Sequence, residues 1–200
     1  MTESVKNSRI RVTRSIQNLL PQDRSLVLIG LMGAGKSSIG HRLADRLSMK
    51  FKDADSEIES AAGCSVAEFF EAYGEAAFRD GERKVIQRLL EGQQVVLATG
   101  GGAYMNEETR TTIKDKAITI WMKADLEVLV RRTARRKTRP LLLAGNPEDI
   151  LRRLIDERHP VYAQADVTID SRDVPHDIAV DAVFEGLLKY LKDKDQIYAD

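Results

Sequence analysis

The sequence holds a single cysteine, Cys64. It can therefore form no internal disulfide and no all-cysteine metal cage, and this usage suits a reducing compartment. Charge of one sign is not in excess either: 31 Lys and Arg stand against 31 Asp and Glu. A protein that coats nucleic acid or an anionic membrane would carry a cationic surplus, so neither partner is expected. Long apolar runs are missing too. The longest nearly apolar stretch, Leu26 to Gly35, has ten residues, about half of the roughly 20 needed to span a bilayer. No internal repeat and no low-complexity segment interrupts the chain. What is present, 200 residues that are 42% hydrophobic and 31% charged, is the composition of a soluble intracellular domain with a substantial core, expected in the cytoplasm.

Residues 1–24 stand apart as an N-terminal arm ahead of a domain over 25–200. The arm carries five basic and two acidic side chains, with no apolar core of the roughly 7–15 residues that a secretory signal needs. Val12, Ile16, Leu19 and Leu20 fall at helical spacing, and Pro21 would stop that helix. The expectation is a surface helix or loose arm, with a cleaved mitochondrial or plastid address as the alternative.

From Leu26 onward, short apolar runs alternate with longer amphipathic ones, the signature of βαβ units and a parallel sheet. Strands are expected at Leu26–Gly30, Lys50–Ala54, Gln94–Thr99, Ala117–Met122 and Asp166–Asp170. Ile39, Leu43 and Leu47 mark one helical face after the first strand. Ser65 with Glu68 forms a capping box for a helix that Gly74 should end. A longer helix follows over Glu75 to Glu91. Asn146–Pro147 reads as an N-cap and first-turn proline for a helix to about Ala163, and a last helix runs over about Asp177 to Leu191. The expected fold is a three-layer α/β/α domain around a five-stranded parallel sheet.

Gly30-Leu31-Met32-Gly33-Ala34-Gly35-Lys36-Ser37 fits G-x4-G-K-[ST], directly after an apolar strand and directly before an amphipathic helix. In that context the glycines let backbone N–H groups wrap a phosphate, and the helix offers its positive dipole end. Lys36 would neutralise the β- and γ-phosphates, and the Ser37 hydroxyl would ligate Mg²⁺. The chain is therefore expected to bind a nucleoside triphosphate.

Its use of the nucleotide is harder to read. The apolar run Val95–Thr99 ends in Gly100-Gly101-Gly102, without the acid that holds magnesium in most ATPases and GTPases of this class. The guanine-reading N-K-x-D motif is also missing. The acids available near a strand end are Asp53 and Asp55. Spaced by two on an extended segment they would share one side, about 7 Å apart. One can serve the metal and the other an acceptor substrate.

The loop GLMGAGKS, the segment FKDAD followed by SEIE, the FR-x-x-E stretch, the GGG turn and RPLL, in this order over about Arg24 to Leu191, resemble shikimate kinases. That resemblance implies ATP-dependent phosphorylation of the 3-hydroxyl of shikimate, a small hydroxylated carboxylate, with ATP and Mg²⁺ required and a monomer expected. It implies that Asp55 orients or deprotonates the attacking hydroxyl, and that Asp53 holds Mg²⁺ through water together with Ser37. Arg79 and Arg158 would bind the carboxylate through paired hydrogen bonds, with Glu82 orienting Arg79. Gly100, Gly101 and Gly102 would let the backbone approach the substrate, and Phe70 and Phe78 would wall the pocket. Nucleotide contacts are implied at Gly33, Ala34, Gly35, Lys36, Ser37 and Ser38. Lys36, Asp55 and Arg139 would be catalytic.

Six cations lie within Arg131–Arg139. A solvated face or a nucleic-acid patch is the plain reading of such a cluster. Beside a triphosphate site it is better read as a lid over about 131–145. By the same resemblance, Arg139 reaches the transferring phosphate, Arg132 lies against the adenine, and a second adenine contact is expected around Arg172. His41, His159 and His176 lack metal-ligand spacing and are expected to be structural. The competing readings are a gluconate or nucleoside monophosphate kinase, and a nucleotide-binding regulator without catalysis.

Overall fold

A computed structural model describes residues 3–134 and 145–198. Five short strands form one parallel sheet: β1 (Ser25–Ile29), β2 (Lys50–Asp53), β3 (Val95–Ala98), β4 (Ala117–Lys123) and β5 (Val167–Asp170). The expected strands are all present, with no end displaced by more than one residue. The order across the sheet is β2-β3-β1-β4-β5. Covered on both faces, β1 and β3 are buried throughout and read as unbroken apolar runs, while β5 at the edge alternates.

Helices α1 (Glu3–Leu19), α2 (Lys36–Leu47), α3 (Ala54–Ala62), α4 (Val66–Glu91), α5 (Glu107–Lys116), α6 (Leu126–Ala134), α7 (Pro147–Tyr162) and α8 (His176–Tyr198) connect and cover the strands. Their ends follow sequence rules. Ser65 and Glu68 close both halves of the capping box on α4, and Asn146 caps α7 ahead of Pro147. Gly74 ends the first helical stretch of α4 as expected: its φ of 77° and ψ of 174° are not helical, and a second stretch resumes beyond it, meeting the first across a kink. Among the described residues, no helix is long and apolar enough to cross a membrane.

The core runs on both sides of the sheet. Ile39, Leu43 and Leu47 of α2 pack inward, as do Val183, Phe184 and Leu187 of α8. The first helix joins them: α1 lies along α8, Ile16 is fully buried and Leu20 nearly so. Arg9 of α1 donates to the Asp181 carboxylate of α8, and Arg46 of α2 donates to the same group at 2.6 Å. The residues expected as a surface helix or loose arm thus form a helix whose apolar stripe is part of the main core. A smaller cluster of Ile58, Phe78 and Val85, with Phe69 and Phe70 against it, ties α3 to α4.

Register places the site. Leu28 of β1 pairs with Ala98 of β3, and Ala98 pairs with Asp53 of β2. The carboxyl ends of three adjacent strands therefore finish in one row, where the direction of chain crossover switches at β1. Open α/β sheets bind their ligands at such a point.

Candidate active site

The loop after β1 turns through Gly30, Gly33 and Gly35 at φ values of 138°, 85° and 93°, which side-chain-bearing residues rarely adopt. At Gly30 a Cβ would also stand 2.6 Å from the Met122 carbonyl oxygen. No side chain caps α2 at Gly35, so its first N–H groups are available to an anion. Lys36 Nζ donates to the carbonyls of Gly30 and Leu31 at 2.8 and 3.1 Å, which bends the side chain back over the loop. Ser37 opens the helix beside it, and Ser38 is half-buried one position on.

Ser37 Oγ donates to Asp53 Oδ2 at 2.7 Å. A hydroxyl and a carboxylate held together beside a phosphate loop form an oxygen donor set suited to a hard divalent cation. Asp55 does not share an extended segment with Asp53. The chain turns helical at Ala54, and Asp53 caps α3 by accepting the Asp55 backbone N–H at 3.1 Å. The alternation that put both carboxylates on one side of a strand therefore fails. The two charges still face one another, because the first turn of a helix brings Asp55 over its own cap. Although open to solvent at one side, Asp55 is hemmed in by protein, and that burial raises its carboxyl above the ordinary value of 3.8. Asp53 and Glu59 push the same way, while Lys36 and Arg79 oppose them.

The Gly100-Gly101-Gly102 turn after β3 is the hub of the second half of the site. A Cβ on Gly100 would stand 2.5 Å from Glu82 Oε1 and 3.0 Å from Asp55 Oδ1. On Gly102 it would lie 2.8 Å from the Arg79 guanidinium carbon. Gly101 borders Arg158, and its carbonyl accepts from Arg158 Nη1 at 2.9 Å. Four charged residues converge on this turn, and side chains at Gly100 and Gly102 would displace three of them, Glu82, Asp55 and Arg79.

Those four arrive from three elements. Arg79 and Glu82 project from α4 one turn apart, joined at 2.7 Å, with Glu75 beside Arg79 at 3.2 Å. Glu82 is 2% exposed, and burial raises its carboxyl against the pull of Arg79. Its Oε1 has no hydrogen-bond partner among the described residues. Arg79 also lies over the rings of Phe78 and Phe70, at 5.3 and 6.0 Å. Phe78 is buried and Phe70 half-buried, so Phe78 is chiefly core and Phe70 the more available wall.

On the nucleotide side, Arg132 in the last turn of α6 donates to the Gly33 carbonyl at 3.2 Å and to Ser171 Oγ at 2.9 Å. Its Nη2 reaches the Arg172 carbonyl at 2.7 Å. Ser171 in turn donates to the Ala34 carbonyl at 2.8 Å. Arg132 therefore joins the phosphate loop to the segment after β5, while the Arg172 side chain is exposed beside Asp170. Arg131 pairs with Asp173 at 2.7 Å. The basic cluster accordingly begins in the last turn of α6, where Arg131 and Arg132 both have partners. Arg139 and the rest of the expected lid through 144 lie outside the described residues. His41 lies against Phe51 and His159 meets Trp121 edge-on, both structural contacts.

Sequence reasoning missed Ser171, which touches both Arg132 and the loop, and Tyr162, whose hydroxyl donates to the Gly101 carbonyl. The position of Tyr162, four residues after Arg158 on one helix face, was the available signal.

This arrangement has close counterparts. The family model described as shikimate kinase matches residues 32–192. The chain belongs to the shikimate kinase family. A shikimate kinase of Bradyrhizobium diazoefficiens is 58% identical over 168 residues, covering 84% of this chain and 81% of that one. One from Brucella canis is 50% identical over 182 residues, covering 91% of this chain and 90% of that one. Among solved structures, a shikimate kinase from Acinetobacter baumannii in complex with shikimate superposes with a TM-score of 0.80 at 35% identity. It covers 89% of this chain and 98% of its own. Within this shikimate kinase fold, the glycine turn lies against the phosphate loop on one side and its charged neighbours on the other, with the Ser37–Asp53 pair beside the loop.

Proposed function

We propose that this chain transfers the γ-phosphoryl group of ATP to the 3-hydroxyl of shikimate, giving shikimate 3-phosphate and ADP, a step toward chorismate and the aromatic amino acids. The observation that carries this reading is the convergence of Asp55, Arg79, Glu82 and Arg158 on the Gly100–Gly102 turn, next to the phosphate loop. Two guanidiniums suit a carboxylate, and a carboxylate of raised affinity for protons suits a hydroxyl. Shikimate carries both groups.

In the proposed sequence, Arg79 and Arg158 hold the substrate carboxylate, and Asp55 accepts from the 3-hydroxyl and takes its proton as the oxygen attacks phosphorus. The new O–P bond forms as the bond to the ADP oxygen breaks. Lys36 and the N–H groups of the loop and of α2 balance charge on the phosphates. Ser37 and Asp53 would hold Mg²⁺, which when bound screens the β- and γ-phosphate oxygens. Arg132 and Arg172 are assigned to the adenine side, Arg139 to the transferring phosphate. The protein is taken to work as a cytoplasmic monomer on small molecules, with neither nucleic acid nor membrane as partner.

A panel assay tests this. ADP release should be fast with shikimate and close to background with gluconate and nucleoside monophosphates. Shikimate carboxamide should bind on the order of 100-fold more weakly, because the charge-assisted hydrogen bonds from Arg79 and Arg158 to the carboxylate are lost. Equal use of acid and amide would remove Arg79 and Arg158 from the acceptor site.

A further inference from the structure

We infer that Tyr162 is a positioning residue for the acceptor carboxylate: its hydroxyl and Arg158 Nη1 both donate to the Gly101 carbonyl, and this shared acceptor fixes the direction in which the Arg158 guanidinium points. The inference rests on the assignment of Arg158 to the carboxylate.

Tyr162 and Arg158 are four residues apart on α7, on the same face. Tyr162 is fully buried and Arg158 is 9% exposed. The tyrosine ring is boxed in by Trp121 at 6.0 Å, His159 at 6.3 Å and Tyr104 at 6.4 Å between ring centres, so its hydroxyl has little freedom to go elsewhere. Burial pushes that hydroxyl up to about 12, so it stays a donor wherever the enzyme is folded. Arg158 has less fixing it. Its Nε is buried without a hydrogen-bond partner among the described residues, and its Nη1 is anchored on the Gly101 carbonyl at 2.9 Å.

Gly101 is also where the two halves of the cleft touch. A Cβ there would lie 3.6 Å from both the Gly30 carbonyl oxygen and the Met32 nitrogen of the phosphate loop, and 3.5 Å from Arg158 Nη1. A carbonyl with a single mobile arginine donor could rotate and carry the guanidinium with it. A second donor on a rigid ring holds the peptide plane still. The Tyr162 hydroxyl therefore pre-sets the spacing between acceptor carboxylate and phosphate loop before either ligand arrives, which reduces the ordering cost of binding.

Tyr162→Phe removes the hydroxyl and leaves the ring packing. The expected result is a KM for shikimate raised by about tenfold, a KM for ATP unchanged, kcat changed by less than about threefold, and a Tm close to that of the parent. A double-mutant cycle with Arg158→Gln separates this inference from its premise. If Tyr162 acts through Arg158, the tenfold loss should shrink to nearly nothing in the Arg158→Gln background. Calorimetric ATP binding confirms that each variant is folded. An unchanged shikimate KM in Tyr162→Phe, or equal losses for shikimate and ATP with a lowered Tm, would overturn the positioning role. A shikimate affinity that survives Arg158→Gln would instead overturn the carboxylate assignment on which it rests.

Discussion

Asp55 is held in a state that is unfavourable for folding and useful for accepting a proton. Its folded pKa is raised above 3.8 by burial first and by Asp53 next. The stability linked to its protonated form is present below 3.8 and is lost as pH rises through the folded value, so at neutral pH the ionised group is a net cost. Asp55→Asn should accordingly leave Tm unchanged or slightly raised at pH 7, while turnover falls by about 10²–10⁴-fold and ATP affinity holds. Thermal melts and ATP titrations of the same preparation check both halves; loss of ATP binding would exchange the roles of Asp53 and Asp55. Glu59 contributes to the raised value from one turn along α3. Glu59→Gln keeps its contact to the Val66 N–H and should move the acid limb of kcat/KM to lower pH, with its plateau preserved. An acid limb that stays put would mean another group controls it.

At the scale of elements, the sequence is least informative at boundaries. The start of α3 at Ala54 was hidden because FKDAD reads as a continuing strand, while Asp53 as N-cap was the signal for a helix. At Gly74 a glycine in a helical pattern reads as a stop, and the backbone there does leave helical geometry; Phe78 and Val85 beyond it join Phe69 and Phe70 before it in the small core, which holds the two stretches together across the kink. The Gly74 geometry is one that a Cβ strains even though nothing lies within 4 Å. Gly74→Ala should therefore destabilise by about 1–3 kcal/mol or straighten α4, displacing Arg79. Shikimate KM should rise with ATP KM unaltered, and steady-state kinetics for both substrates will decide it. For α1, spacing and Pro21 reveal the helix and its apolar stripe, but not what that stripe meets. Ile16→Ala should lower stability by about 2–5 kcal/mol with both KM values intact, since the side chain is fully buried far from the cleft. A Tm within error of the parent would return α1 to a dispensable arm.

For the whole molecule, the strand pattern, the parallel sheet and the phosphate loop were legible from residues alone, because buried parallel strands and glycine-rich turns have few alternatives. The meeting of Asp53, the glycine turn and Arg158 was not, since it depends on which strands become neighbours and in what register. Global stability should show its own pH signature. His159 has a folded pKa below 6.5, chiefly through burial and then through Lys123. Its contribution is fully present above about pH 6.5 and is lost as pH falls through the folded value. Tm should therefore decline on acidification below that point, and His159→Gln should flatten the decline; an unchanged slope would place the acid sensitivity elsewhere. The proposed activity is one transfer, from ATP to a single shikimate oxygen assigned to Asp55. Proton–phosphorus correlation NMR of the product formed from shikimate and ATP tests it most directly. One phosphate ester, coupled to the proton on C3, with ADP released in equal amount, is the predicted result. A phosphate on another hydroxyl, or ADP released with no shikimate ester formed, would contradict it.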